Sequence, residues 1–182
     1  STTPAAAAGS SATVQARKVS GRRTVRYEPC DDLLRAAEGA VHGNVQLLGN
    51  WSLGQILTHL AMAMEMTIDG FPMRVAPPVR WIARLFLKRR AIYRAVPAGF
   101  KLPRRAAKLL PPENATPADG LQRLARAVAR MQQEQQRSVH PVFGKLTREE
   151  ADSLQLRHAE LHMSFVIPET APAPAPDTAE TP

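Results

Sequence analysis

The sequence predicts an all-α protein, an up-down four-helix bundle with an additional basic helical insertion, and three observations support this class. Hydrophobic residues make up 44% of the 182 residues, whereas aromatic residues make up only 5% and glycine is sparse. This balance favours packed helices over a sheet protein rich in aromatic residues and turns. Apolar residues also recur at helical spacing in several long segments, and two of these segments begin with a capping box. A chain of this length is expected to form one domain with a sizeable core.

Both ends of the chain are predicted to be disordered tails. Residues 1–22 are rich in alanine and serine, without apolar periodicity or the apolar core of a secretory signal. Residues 169–182 alternate proline with alanine, which favours extended, solvated chain. The folded unit is therefore expected to span residues 23–168. No apolar run is long enough for a membrane span, and the single cysteine, Cys30, excludes an intrachain disulfide, so we expect a cytoplasmic protein.

The first helix is expected to begin at Asp31 or Asp32, because carboxylates suit the positive end of the helix dipole, and to break at Gly43. His42, at that end, is expected to cap the helix. The last two long helices are predicted from similar signals. One is expected to start at Thr116-Pro117 and to stop before His140-Pro141. The other is expected to start at the capping box formed by Thr147 and Glu150 and to end near Val166.

The second helix carries a histidine on its buried face. It is predicted to start at Ser52, which forms an S-x-x-Q capping box with Gln55, and to end near Asp69-Gly70. Trp51, just before the cap, is expected to staple that end. His59 falls on the apolar stripe of this helix together with Ile56, Leu60 and Ala63.

The segment from residue 74 to 108 is strongly basic. It contains eleven of the 24 lysines and arginines and no acidic residue. Within it, VRWIARLFLKRRAIYRAV between Pro78 and Pro97 predicts a basic amphipathic helix. The simplest interpretation is a solvated, positive outer face, and the functional alternative is contact with an anionic membrane surface or a nucleic acid. The net charge of +8 favours polyanions without specifying one.

Two histidines stand one helical turn apart in the last helix. His158 and His162 are four residues apart, so a helix places both imidazoles on one face, where they can aim at a common point. Two histidines hold a divalent metal weakly, and His59 is the natural third ligand. The zincin motif H-E-x-x-H does not apply, because Glu160 lies two residues after His158 and points away from the shared site.

Other polar and sulfur-containing residues are weaker candidates. Two side chains could hold the imidazole N–H groups of metal ligands, and three others could line a pocket, although methionines at helical spacing are most simply core residues. His140 is more simply a residue that meets free carbonyls at a helix end. Cys30 has no base beside it in the sequence and is not assigned to catalysis. The two candidates for holding imidazole N–H groups are Gln55 and Glu134, and the three candidates for lining a pocket are Met62, Met66 and His140.

Two blocks, GNWSLGQILTHLAMAMEMTIDGFP and HPVFGKLTREEADSLQLRHAELHMSF, resemble the characteristic blocks of the DinB-like superfamily of bacterial helical-bundle proteins, in an uncharacterised subgroup. The resemblance covers roughly residues 23–167. It implies metal roles for His59, His158 and His162, and a divalent ion such as Zn, Ni, Fe or Mn. Characterised members include transferases and isomerases that use low-molecular-weight thiols. The long basic insertion departs from the common pattern of the superfamily.

Two functional hypotheses follow from the sequence. The first is a metalloenzyme whose three histidines leave a coordination position open, as catalytic sites do, for thiol-dependent transfer, isomerisation or hydrolysis of a small molecule. The second is a non-catalytic bundle that binds an anionic membrane surface or nucleic acid through residues 74–108. A homodimer is expected in either case from the apolar excess of the helices.

Overall fold

The computed structural model describes residues 15–73, 75–98 and 110–169, and these residues are mainly helical, which confirms the all-α class. Outside the described residues lie 1–14, 74, 99–109 and 170–182, which include much of the predicted tails and part of the basic segment. The described elements are a 3-10 helix Ala16–Lys18, α1 Cys30–His42, β1 Val45–Leu47, α2 Leu53–Asp69, α3 Pro77–Phe86, α4 Lys88–Tyr93, α5 Pro117–Gln133, α6 Arg148–Met163 and β2 Val166–Pro168.

Helix α1 begins and ends close to where its local signals predict. Asp31 and Asp32 lie in its first turn. At the other end the His42 Nδ1–H donates to the carbonyl oxygen of Glu38 over 2.9 Å. The His42 side chain therefore binds a carbonyl of the last turn, at the helix end where His42 was predicted to act as a cap.

Helix α2 is fixed at its start by the predicted capping box. The Ser52 N–H donates to Gln55 Oε1 over 2.9 Å, and the Gln55 N–H donates to Ser52 Oγ over 3.2 Å. The helix ends at Asp69, as predicted. His59 is buried one turn after the capping box, so a firmly anchored first turn sets its position.

Helices α2 and α5 approach each other closely through two glycines. A Cβ on Gly54 would lie 2.1 Å from the carbonyl oxygen of Ala115, and a Cβ on Gly120 would lie 2.9 Å from the carbonyl oxygen of Gly54. Only glycine fits at either position, because both contacts are with backbone atoms. The contact lies at the start of both helices, one turn before His59.

The predicted caps of α5 and α6 are also present. The Thr116 Oγ1 accepts the Asp119 N–H over 3.1 Å, and the Thr147 Oγ1 accepts the Glu150 N–H over 3.2 Å. Helix α5 ends at Gln133, well before His140. The four long helices contribute to one hydrophobic core, which includes Leu33 and Ala37 of α1, Leu57, Leu60 and Met64 of α2, Leu124, Val128 and Met131 of α5, and Ala159 and Met163 of α6.

A buried ion pair fastens the segment before α1 to α6. Arg157 Nη2 lies 2.9 Å from Glu160 Oε1, and both side chains are almost inaccessible to solvent. The same carboxylate accepts the Tyr27 N–H over 2.7 Å, and Arg157 donates to the Tyr27 carbonyl oxygen. Breaking one half of such a buried pair costs about 3–5 kcal/mol.

A small antiparallel sheet, which the sequence analysis missed, joins the α1–α2 connection to the end of α6. Strand β1 pairs with β2 in the register Val45 to Pro168, Gln46 to Ile167 and Leu47 to Val166. The pairing continues where the Leu48 N–H donates to the Phe165 carbonyl oxygen over 3.0 Å. The sheet holds the loop before α2 against the end of α6, and this loop carries Trp51.

The predicted basic amphipathic helix is observed as two helices, α3 and α4, separated at Leu87. The amphipathic pattern indicated that its apolar residues face the protein, and this holds only in part. Ile92 is buried, whereas Ile82, Leu85 and Phe86 are exposed. Lys88 Nζ lies 2.7 Å from Glu150 Oε1 of α6, so it is not part of a solvated face. Within the described residues, no helix has the length and apolar character required to cross a membrane.

Candidate metal centre

Three histidines from α2 and α6 bring their Nε2 atoms together. His158 Nε2 lies 3.2 Å from His59 Nε2 and 3.0 Å from His162 Nε2. One ligand atom from each of the three residues lies within 4.8 Å of the other two. The structure therefore brings together the three residues that the sequence singled out, although His59 and His158 are 99 positions apart.

These separations fit a shared divalent ion. Two imidazole nitrogens bound at about 2.0–2.1 Å, with an angle of about 90–110° at the metal, lie about 2.9–3.4 Å apart. Both measured Nε2 separations fall within this interval. Three neutral imidazoles are the donor set that Zn, Ni and Fe accept readily. The residues present thus fit a bound metal, with coordination positions left for another ligand.

Trp51 forms one wall of the histidine cluster. Its ring stacks on the His162 ring with centroids 5.3 Å apart and planes 7° from parallel, and its centroid is 4.8 Å from that of His59. Only a stapling role was predicted for Trp51. Trp51 precedes the cap of α2, so helical spacing does not relate it to His59, and no local pattern in the sequence places it beside the histidines.

Burial keeps the two histidines of α6 neutral. Burial, with smaller contributions from His59 and His140, lowers the pKa of His158 to about 3. Burial, followed by the neighbouring His158 and His59, lowers the pKa of His162 well below its usual value. Both residues are half-buried, and His59 is buried. At neutral pH both rings are therefore uncharged, and each has one nitrogen with a free lone pair, which is the form that binds metal.

Glu160 takes no part in the cluster. Its carboxylate is held by the Tyr27 N–H and the Arg157 guanidinium on another side of α6. The prediction that Glu160 points away from the shared site is thus confirmed.

The two side chains predicted to support the imidazoles have partners elsewhere. Gln55 Oε1 accepts the Ser52 N–H in the capping box. Glu134 pairs with Arg130 at 2.6 Å beyond the end of α5. Their role beside the metal ligands stays a prediction. Met62 and Met66 are half-buried on α2.

His140 organises the loop between α5 and α6. Its Nδ1 accepts the N–H groups of Val142 and Phe143 over 3.2 and 3.1 Å, and its ring stacks on Phe143 with centroids 5.0 Å apart. The structural role expected for His140 is observed, but His140 lies in the loop beyond α5, which ends at Gln133, and its Nδ1 accepts backbone N–H groups instead of donating to carbonyls of a helix end. Burial lowers the pKa of His140 to about 4, so the ring is neutral. His140 also lines a tightly packed pocket with Thr67, Ser138 and Gln155.

The fold and the cluster define a mainly helical protein with three converging histidines, an arrangement compatible with a divalent metal. The chain belongs to the family described as "Protein of unknown function (DUF1569)", whose model matches residues 19–169. Comparison with curated proteins and with solved structures found no match.

Proposed function

We propose that the protein is a divalent-metal-binding bundle of the DinB-like kind and acts as a metalloenzyme on a small molecule. The observation that carries this proposal is the convergence of three Nε2 atoms from His59, His158 and His162 at separations that suit one ion. The shared core of α1, α2, α5 and α6 supports the four-helix arrangement of such a bundle.

The surroundings of the cluster favour a catalytic over a purely structural site. Structural zinc sites use four protein ligands, whereas three histidines leave a position for water or substrate. A divalent ion in such a site supplies Lewis acidity and lowers the pKa of a bound water or thiol. The chain's own contribution is to hold three imidazoles in place, to keep those of His158 and His162 neutral by burial, and to shield the cluster on one side with the Trp51 ring.

A low-molecular-weight thiol is the proposed co-substrate, and transfer, isomerisation and hydrolysis are the reaction classes. This choice comes from the resemblance to the DinB-like superfamily and from the affinity of zinc-type ions for thiolates. Cys30 is not a substitute for an external thiol, because burial raises its pKa to about 11 and keeps it protonated.

The test is metal stoichiometry in matched histidine variants. Chelator-stripped protein, reloaded with Zn²⁺ and desalted, should retain about one ion per chain, measured by elemental mass spectrometry. His59→Ala, His158→Ala and His162→Ala should each lose most of it, because two imidazoles alone hold a divalent ion weakly. His42→Ala is the matched control and should retain full occupancy, since His42 caps α1.

Two results would contradict the proposal in different ways. Full occupancy in His59→Ala together with loss in His158→Ala would mean that the third ligand is misassigned. Failure of the parent protein to take up Zn, Ni, Mn or Fe would remove the metalloenzyme altogether. The catalytic part further requires that the loaded protein, and not the stripped protein, binds glutathione in calorimetry.

A further inference from the structure

Large hydrophobic side chains are exposed on one short stretch of the protein. Of the nine exposed large hydrophobic residues in the described ranges, seven lie between Val79 and Tyr93. Trp81 is 68% exposed, Leu85 60% and Phe86 70%. A contiguous patch of this kind on an otherwise polar surface marks an interaction site more often than scattered single residues do.

The patch lies on one side of α3. The apolar arc consists of five residues that helical geometry places within about 160° of one another, with Arg80 and Arg84 on the opposite side. Those two guanidinium groups lie over the Gly144 backbone, within 3.2 and 3.9 Å of where a Cβ would stand. The helix thus turns its cationic side toward the protein body and its apolar side outward. The arc is formed by Val79, Trp81, Ile82, Leu85 and Phe86.

Helix α4 fixes this unusual orientation. Ile92 is buried against the body, and Lys88 is paired with Glu150 of α6 at 2.7 Å. Ala83 is the buried contact of α3. Because these anchors hold the segment, the apolar arc cannot turn inward without breaking the contacts with α6 and with the loop that precedes it.

Exposed cations follow the apolar arc along the chain. Arg89, Arg90 and Arg94 of α4 and its end are exposed, and the sequence has no acidic residue between Asp69 and Glu113. The surface therefore combines a broad apolar arc, an exposed tryptophan and tyrosine, and unopposed positive charge. This is the composition of helices that lie in the interface of an anionic bilayer.

We propose that the apolar arc and the arginines of α4 dock on an anionic lipid surface. Three partners could cover this surface, namely a second copy of the chain, a nucleic acid and an anionic lipid surface, and the charge and apolar character of the surface distinguish them. A second copy of the chain would place arginines opposite arginines on a protein with a net charge of +8. A nucleic acid would use the cations but leave the aliphatic side chains of Val79, Ile82 and Leu85 without partners, because it binds through phosphates and stacked bases. An anionic lipid surface would contact the cations through its headgroups and the aliphatic side chains through its acyl chains.

The experiment is co-sedimentation of the full chain with lipid vesicles. Vesicles of phosphatidylcholine with about one-third phosphatidylglycerol should bind the protein at low salt, and pure phosphatidylcholine vesicles should bind it at least tenfold more weakly. High salt should weaken binding to the anionic vesicles, because it screens the arginines. Fluorescence from Trp81 should shift to the blue on binding, and Trp81→Phe should remove that shift.

Two variants separate the apolar from the charged contribution. Trp81→Ser with Phe86→Ser should abolish binding, and Arg89→Gln with Arg90→Gln should weaken it and flatten its salt dependence. Val139→Ser is the matched control for the first, since Val139 is 58% exposed elsewhere, and Arg35→Gln is the control for the second. Both controls should bind like the parent.

Several results would overturn the proposal. They are absence of binding to the anionic vesicles, equal binding to neutral vesicles, and a dimer in sedimentation equilibrium that the Trp81→Ser, Phe86→Ser variant dissociates. Tighter binding to duplex DNA than to vesicles would point to a nucleic acid. Weak quenching of Trp81 by acrylamide in the free protein would mean that another part of the chain covers the arc.

Discussion

At the scale of single residues, the three imidazoles constrain one another even before a ligand is considered. His158 Nε2 is close enough for a hydrogen bond to the Nε2 of both His59 and His162. If His158 Nε2 accepts from both neighbours, it carries no hydrogen and its own proton sits on Nδ1. The same lone pair would face a metal. The hydrogen-bonded cluster is therefore already arranged much as a ligand set, and metal binding would require the other two rings to carry their hydrogen on Nδ1 instead of Nε2.

The sequence predicted the identity of the three histidines, because helical spacing alone relates His158 to His162 and the apolar stripe of α2 buries His59. It did not predict the packing of Trp51 or the acceptor role of His140. Both depend on loops whose course is set by contacts far away in sequence, such as the Leu48–Phe165 hydrogen bond beside Trp51.

A variant of Trp51 tests the wall that it forms. In Trp51→Ala the stacking contact with His162 is lost and water gains access, so Zn²⁺ should bind about three- to tenfold more weakly, corresponding to a ring contact of about 0.5–1.5 kcal/mol. Competition with a chelator measures the affinity. Trp51→Phe keeps an aromatic ring and should recover most of it. Equal affinity in the alanine variant and the parent would show that the ring does not support the site.

At the scale of elements, the starts of the helices could be predicted from local sequence patterns, whereas pairings between distant segments could not. The capping boxes at Ser52 and Thr147 are short-range patterns, and both are present. Strands β1 and β2 contain three residues each and lie far apart in the sequence, so neither carries a detectable alternation of apolar and polar residues. The break at Leu87 likewise depends on how α4 packs against α6, which no local pattern of the basic segment encodes.

The close approach of α2 and α5 can be tested with one methyl group. In Gly54→Ala the new Cβ would meet the Ala115 carbonyl oxygen at 2.1 Å, so the two helices must separate, and the free energy of unfolding should fall by about 2–4 kcal/mol. Urea unfolding measures the loss. Weaker Zn²⁺ binding should accompany it, because His59 lies one turn further along α2.

Gly39 of α1 provides the matched control for that substitution. It is exposed, and a Cβ there would meet nothing within 4 Å. Gly39→Ala should therefore raise the free energy of unfolding by up to about 1 kcal/mol, since alanine favours helix more than glycine does. A similar effect of both substitutions would argue against a tight α2–α5 contact.

At the scale of the whole molecule, composition predicted the helical class but not which side of the basic segment faces outward. An amphipathic pattern normally implies an apolar face toward the core, and among the described residues of the basic segment only Ala83 and Ile92 are buried hydrophobic residues. The net charge of +8 is concentrated in a region without acids, and this asymmetry is visible in the sequence. The exposure of Trp81 and Phe86 beside that charge is a property of the folded chain only.

Stability as a function of pH is a further property of the whole molecule, because burial keeps His140, His158 and His162 neutral in the folded state. The folded pKa values, about 4 for His140 and about 3 for His158, lie below the unfolded value of about 6.5. A lowered folded pKa means that the unfolded chain binds more protons in this window. Stability is therefore fully present above about pH 6.5 and is lost as the pH falls toward 4.

The His140 share of that loss can be isolated in metal-free protein. Between pH 7 and pH 5, His140 should lower the free energy of unfolding by about 2 kcal/mol, because its pKa is about 4 in the folded state and about 6.5 in the unfolded state. His140→Asn removes the titrating ring but keeps an acceptor for the Val142 and Phe143 N–H groups, so its urea-derived unfolding free energy should fall by about 2 kcal/mol less than that of the parent over this range. Parallel curves for His140→Asn and the parent would mean that His140 titrates near its unfolded value, and that burial does not hold this ring neutral.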